Sequence, residues 1–236
     1  MGHPGGGNPD NERTTGLLTM AARSFTHGML RLASQGGVGP AFSTFLDTAM
    51  ALNSGIENIV PALMRSYVKH ERYLFMETYT SLLDESVCRE RGMNDVLGDF
   101  YGQYVDRRFV PVPQQFCDLY PGLRSANMAS MRVADLRCRS GRHLMAAARY
   151  NRWLRLYGAD PDITMVKMAL LNFFMNDLSG EVAWYDAAID EFHAVWSVDL
   201  DYRGKPVIRE MEHERSLLFQ KRRGHSPGTA KLVLGF

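Results

Sequence analysis

Apolar residues recur through the middle of this chain at steps of three and four, the period of one α-helical face. The pattern is clearest over residues 127–199, where two halves share a layout. Each has an apolar run, a Ser-Gly break (Ser140-Gly141, then Ser179-Gly180), a longer amphipathic run and a polar terminator. Glycine ends a helix at little cost because it reaches the left-handed conformation without a Cβ penalty. Two helices joined by so short a break are predicted to lie antiparallel and share a buried seam. The first half closes on Gly158-Ala159-Asp160-Pro161-Asp162, in which Pro161 stops a helix and Asp162 caps the next.

The register extends upstream. Counting from Gly55, Gly92, Gly141 and Gly180, the twelfth positions are Tyr67, Tyr104, Trp153 and Phe192. The ninth are Met64, Tyr101, Tyr150 and Ile189, and the fifth Val60, Leu97, Ala146 and Tyr185. Steps of four and three put these on one helical face. The glycines are 37, 49 and 39 residues apart, within the band of helical arrays. The expected fold is therefore all-α: an α-solenoid-like array of about four antiparallel helix hairpins with a C-terminal capping helix. Residues 1–40 read as a flexible N-terminal arm, 41–200 as the helical-hairpin repeat domain, and 201–236 as the capping helix and tail. The tail's apolar Lys231–Phe236 is suited to a partner's groove or sheet edge, or to folding back on its own core.

The repeating unit resembles a pentatricopeptide repeat in degenerate form. That family has Gly between the two helices, Ala or Leu at the fifth position after it, Phe at the ninth and Met at the twelfth. Its closing Pro-Asp is matched by Pro161-Asp162, and Cys138 three residues before Gly141 also suits it. The likeness covers roughly residues 42–199 and is best at 127–162. It implies a helical-repeat surface that docks on other macromolecules. In the RNA-reading members a small polar residue at the fifth position of the first helix and an Asp or Asn at the unit's end read one base. Here the fifth positions are Met131 and Lys167, and only Asp162 fits. RNA is thus a disfavoured partner, and protein subunits of a larger complex are the favoured one. Short proteins resembling such repeats occur as accessory subunits of euglenozoan ATP synthase and in mitochondrial ribosomes. The resemblance accordingly implies a non-catalytic structural or accessory subunit, with mitochondrial ATP synthase as the assembly. The alternatives are an organellar RNA-binding or ribosome-associated repeat protein and a helical viral or phage structural protein.

Composition changes this picture little. At 236 residues with 45% hydrophobic content the chain can bury a full core. A formal net charge of +1 gives no electrostatic footprint for nucleic acid or an anionic membrane. Arg outnumbers Lys by 22 to 5, a bias that either marks forked recognition of carboxylates and phosphates or reflects a gene rich in G and C. Cys88, Cys117 and Cys138 have no metal or disulfide spacing and read as reduced thiols of an intracellular protein. No apolar run approaches the roughly 18 residues that span a bilayer. Residues 14–45 carry Arg23 and Arg31 but no acid, as mitochondrial transit segments do. The expected location is mitochondrial, and otherwise intracellular and soluble.

Candidate chemistry is sparse. His70-Glu71 lacks the second His of HExxH, and Gly36–Pro40 has no phosphate-cradling pattern. Glu210-x-x-His213, with the weaker Asp190-x-x-His193, is the only trace of a di-metal helix bundle, a remote alternative to a non-enzyme without metal or cofactor. The best surface candidate is a row of Arg142, Arg149, Arg152 and Arg155 along one expected helix, aligned to meet acidic partners.

Overall fold

The chain is built on a mixed six-stranded β-sheet with helices on both faces. The computed structural model describes residues 24–34, 36–55, 67, 69–86, 93–110, 132–222 and 232–235, with side chains described up to residue 220. The strands are β1 (Arg132–Asp135), β2 (Arg155–Asp160), β3 (Gly180–Asp186), β4 (Glu191–Leu200), β5 (Pro206–Glu210) and β6 (Leu232–Gly235). Their order across the sheet is β5-β4-β3-β2-β1-β6. β6, β1, β2 and β3 run parallel, and β4 and β5 add an antiparallel meander.

Helices α1 (Phe25–Leu32), α2 (Val38–Leu52), α3 (Lys69–Ser86) and α4 (Val96–Phe100) precede the sheet. A π-helical turn, Tyr101–Val105, continues α4. Helix α5 (Arg142–Tyr150) links β1 to β2, α6 (Ile163–Met175) links β2 to β3, and α7 (Leu217–Arg222) follows β5. Two parallel strands cannot be joined by a hairpin, so each needs such a crossover.

The sequence of α6 explains its central place. Asp162 caps it by accepting from the Thr164 N–H, and the helix is apolar nearly all round, with Met165, Val166, Met168 and Phe173 among its buried residues. One side of α6 packs on β2–β5, and another meets α2 and α3. Strand alternation then sorts the sheet. Leu156, Val182 and Val198 join the main core with α6, while Ala159, Ala183 and Val195 face a second cluster that includes Phe192, Met211 and Leu218. Beyond α6 an aromatic cluster fills the N-terminal layer. Phe45 lies 5.4 Å from Phe25 and 5.1 Å from Phe75, all fully buried.

These observations overturn the all-α array, the pentatricopeptide resemblance and the helical-repeat scaffold. Two adjacent strands of the mixed sheet, β1 and β2, fall within the span with the best repeat likeness. The physical reason is that β1, β2 and the start of β3 are short and buried on both faces, so their polar–apolar alternation is missing. The repeat-marking glycines do different jobs. Gly141 caps the start of α5 at φ +81° and Gly55 follows α2 at φ +70°. Gly180 opens β3, where a Cβ would lie 2.4 Å from the Leu156 carbonyl oxygen. Gly92 lies outside the described residues. The aromatic markers share no seam either. Trp153 is 84% exposed in a turn, Phe192 lies on β4, Tyr104 packs on Phe100, and Tyr67 reaches the Thr48 hydroxyl.

The tail supplies a strand to its own sheet, Leu232–Gly235 pairing with Arg132–Asp135. The span 207–223, expected as one capping helix, carries instead most of β5, a 3-10 turn (His213–Arg215) and α7. The acid-free segment 14–45 contains α1 and part of α2, whose Phe25, Met29, Phe42 and Phe45 are buried; residues 1–23 lie outside the described ones, as do Cys88 and Cys117.

Candidate functional site

β1 and β2 each end on a buried carboxylate, Asp135 and Asp160. The strands are parallel neighbours in register, Asp135 opposite Gly158, so both acids lie at the same end of the sheet. Between them runs the turn Leu136–Gly141, which leads into α5. Asp135 Oδ1 accepts from the Arg137 N–H at 3.0 Å, and His143 Nδ1 lies 3.1 Å from Asp135 Oδ2. Asp160 Oδ2 accepts from the Arg139 N–H and Oδ1 from the Asp162 N–H, each at 3.0 Å. Each carboxylate oxygen has a further acceptor position.

The turn is strained as well as tied. Arg139 has φ +49°, a left-handed conformation that costs a residue with a Cβ roughly 1 kcal/mol or more. Gly141 follows at φ +81°, and a Cβ there would meet Ala169 and Phe173 of α6 at 3.2 Å. Close packing continues beneath. Cys138 sits over Gly158, where an added Cβ would come within 2.9 Å of its Sγ. Burial, together with Asp160 and Asp135, pushes the Cys138 thiol well above its ordinary range. Burial also raises Asp160, against the pull of its two backbone N–H donors.

A recess lined by Phe109, Cys138, Arg139, Ser140, Arg142 and His143 opens beside this turn. Arg139 partly covers it, with its guanidinium 5.9 Å from the Phe109 ring centre and Nη1 donating to the Val110 carbonyl. On the other side, Asp160 pairs in register with Trp184 of β3. The Trp184 indole N–H donates to the Pro161 carbonyl and its ring packs at a tilt against His193, centroids 4.3 Å apart.

The four arginines of the expected row are not aligned. Helix α5 ends at Tyr150, so Arg152 falls in a turn and Arg155 on β2. Arg142 is held by Asp95 and Asp99, and Arg149 by the Met93 carbonyl. Arg152 donates to the Asn176 carbonyl, and Arg155 pairs with Asp199 at 3.0 Å. The structure spends these charges on its own acids and carbonyls. Glu210 ends β5 while His213 packs edge-on against Phe192; among the described residues no group of three His, Cys, Asp or Glu could hold a metal ion.

The residues that the helical reading passed over are Asp135 and Asp160. Their signal was present as two short apolar runs, Val133–Asp135 and Leu156–Asp160, each closing on Asp around a Ser-Gly turn and a helix. Comparison with protein-family models gives no match, and neither does comparison with curated proteins. Among the described residues no helix is long and apolar enough to cross a membrane.

Proposed function

We propose that this chain binds a nucleoside-containing ligand across the carboxyl ends of β1 and β2. In open α/β sheets ligands settle in the crevice beyond the carboxyl ends of the parallel strands, and an acid ending the second strand takes the ribose hydroxyls. Asp160, ending the strand that follows the first crossover helix, supports that role, with Asp135 beside it for a second polar group. The observation that carries the reading is this pair of buried carboxylates on adjacent parallel strands with the strained turn tied between them.

The chemistry favours a nucleoside with a neutral or cationic tail over a pyrophosphate. A phosphate-binding turn offers glycine backbone that approaches the anion closely. Here the turn is Leu136-Arg137-Cys138-Arg139-Ser140-Gly141, flanked by two acids that would repel a diphosphate. Asp135 is placed to meet an ammonium or sulfonium group instead. The reading is of a binding protein, and no reacting group is assigned.

The test is a thermal-shift and calorimetric panel of adenosine, S-adenosylmethionine, S-adenosylhomocysteine, NAD and ATP. A neutral or cationic adenosine compound present at a hundred times its Kd should stabilise the fold by about 2.7 kcal/mol. Stronger binding of NAD or ATP would overturn the tail assignment, and no shift with any of them would overturn the nucleoside reading.

A second reading is that of a structural or accessory subunit in a larger, mitochondrial assembly such as ATP synthase. It is favoured by Trp153 (84% exposed) and Tyr202 (87% exposed). Trp153 precedes β2 and Tyr202 follows the antiparallel β4, so both mark the sheet end opposite the carboxylate pair. Large exposed aromatics commonly anchor protein interfaces. Purification from the native source in mild detergent should recover the chain in stoichiometric amount within one large complex; a lone monomer would sink this reading.

A further inference from the structure

Asp95 is fully buried and belongs to the N-terminal helical layer, yet most of its carboxylate bonds reach across to the β1–α5 turn, the start of α5 and α6. Oδ2 accepts from Ser140 Oγ at 2.5 Å and from Arg142 Nε at 2.9 Å. Oδ1 accepts from Asn172 Nδ2 and from the Gly98 N–H, both at 2.8 Å. Asn172 donates again to the Ser140 carbonyl at 2.8 Å, so both the side chain and the backbone of Ser140 are captured. The packing admits no slack. A Cβ at Gly98 would lie 2.2 Å from Asp95 Oδ2.

The position of Ser140 gives these bonds their consequence. It stands between two left-handed residues, Arg139 and Gly141, and Arg139 there holds a conformation that a residue with a Cβ does not favour. The Arg139 N–H is bound in turn to Asp160. The strained turn is therefore gripped from two sides, by Asp160 from the sheet and by Asp95 from the helical layer. A salt bridge to Arg142 would by itself fix α5; the Ser140 bonds fix the turn's shape. A strained conformation persists only where its surroundings over-determine it, and these two carboxylates do so.

We propose that Asp95 is a positioning residue that holds the β1–α5 turn in its ligand-binding shape and couples the N-terminal helical layer to occupancy of the nucleoside site. The ligand half of this statement rests on the reading above; the clamp itself does not. By linkage, whatever stabilises the turn at the site also protects the segment that grips it.

Cys138, buried within the turn, reports on its opening. The experiment measures the rate at which a thiol reagent labels Cys138, read by peptide mass spectrometry, in wild type, Asp95→Asn and Ser140→Ala, each with its urea stability measured in parallel. Ser140→Ala removes one hydroxyl and serves as the milder variant should Asp95→Asn fold poorly. Hydrogen exchange at Gly98–Phe100 is then followed with and without S-adenosylmethionine. In the unliganded protein, labelling should rise about ten-fold or more in either variant beyond what the loss of global stability accounts for. Labelling that only tracks global stability would overturn the clamp. With ligand, exchange at Gly98–Phe100 should slow in wild type and much less in Ser140→Ala. Binding that leaves this segment unchanged in wild type would overturn the coupling. If no ligand of the panel binds, the nucleoside reading and the coupling fall together, while the unliganded labelling rates still decide the clamp.

Discussion

The backbone N–H of Arg139 donates to Asp160 Oδ2 across 3.0 Å, joining the turn after the first parallel strand to the acid that ends the second. A residue in a strained left-handed conformation is thus held by a buried carboxylate that also accepts from the Asp162 N–H. Loop and strand end form one unit, and the unit sits where an open α/β sheet binds ligands.

Asp160 should therefore matter to both stability and binding. Asp160→Ala leaves two N–H donors without their acceptor and should cost about 1–3 kcal/mol in urea unfolding. Asp160→Asn keeps one acceptor oxygen and should cost less. Both should weaken the panel ligand about ten-fold or more, since ribose hydroxyls prefer a carboxylate. Unchanged affinity in Asp160→Ala would remove Asp160 from the site.

Gly158 tests the close approach of the turn to β2. A Cβ there meets Cys138 Sγ at 2.9 Å and Leu144 Cδ1 at 3.4 Å. Gly158→Ala should destabilise by about 1–3 kcal/mol through overpacking. Adding Cys138→Ala removes the offending sulfur, so the double variant should recover about 1 kcal/mol relative to additivity. Strict additivity in the double-mutant cycle would show that the two residues do not touch.

Glu181 carries a pH signature on the opposite face of the sheet. Burial raises its pKa above the ordinary 4.5; the Ser216 hydroxyl, the Leu217 N–H and Arg155 pull it back, and Asp199 pushes it up. The folded state then binds this proton more tightly than the unfolded chain, so the group's contribution is present below 4.5 and lost as pH rises through the raised value. Asp160 shifts in the same direction, so the informative quantity is wild-type stability minus that of Glu181→Gln. Measured by urea titration from pH 8 down to 4.5, this difference should move in favour of wild type as pH falls. A flat difference would contradict the burial effect.

Phe45 tests whether the N-terminal layer and the sheet unfold together. It is fully buried against Phe25 and Phe75, and Phe45→Ala should cost about 3–5 kcal/mol. The chain's three tryptophans, Trp153, Trp184 and Trp196, all lie in or beside the sheet. The fluorescence transition should shift by the same amount as the helical circular dichroism. A shift in circular dichroism alone would make the helical layer a separately folding unit.

How much of this was legible in the sequence depends on the element. The helix expected after Gly141 is present over Arg142–Tyr150 but does not reach Arg155, while Ile163–Met175 is helical and Asp162 caps it, because helices report themselves through local spacing and terminal side chains. Pro161, expected to stop a helix, follows the end of strand β2 instead. The strands between the helices were not legible. Val133-Ala134 and Leu156–Ala159 are too short and too uniformly buried to show a two-residue alternation, so they merge into the neighbouring helical period. Trp153, placed on a seam by spacing, stands 84% exposed for that reason.

The sequence by itself determined the helical runs that follow Gly141 and Asp162, the cap at Asp162, and that nearly half the residues are apolar. Only the tertiary structure decided that Asp135, Asp160 and Asp95 converge on one turn. The reason is that parallel pairing joins residues far apart in the chain: register sets Asp135 beside Gly158, and the packing of α4 carries Asp95 to Ser140. Local propensity contains no term for either event, because both are fixed by what the main core excludes from water around α6.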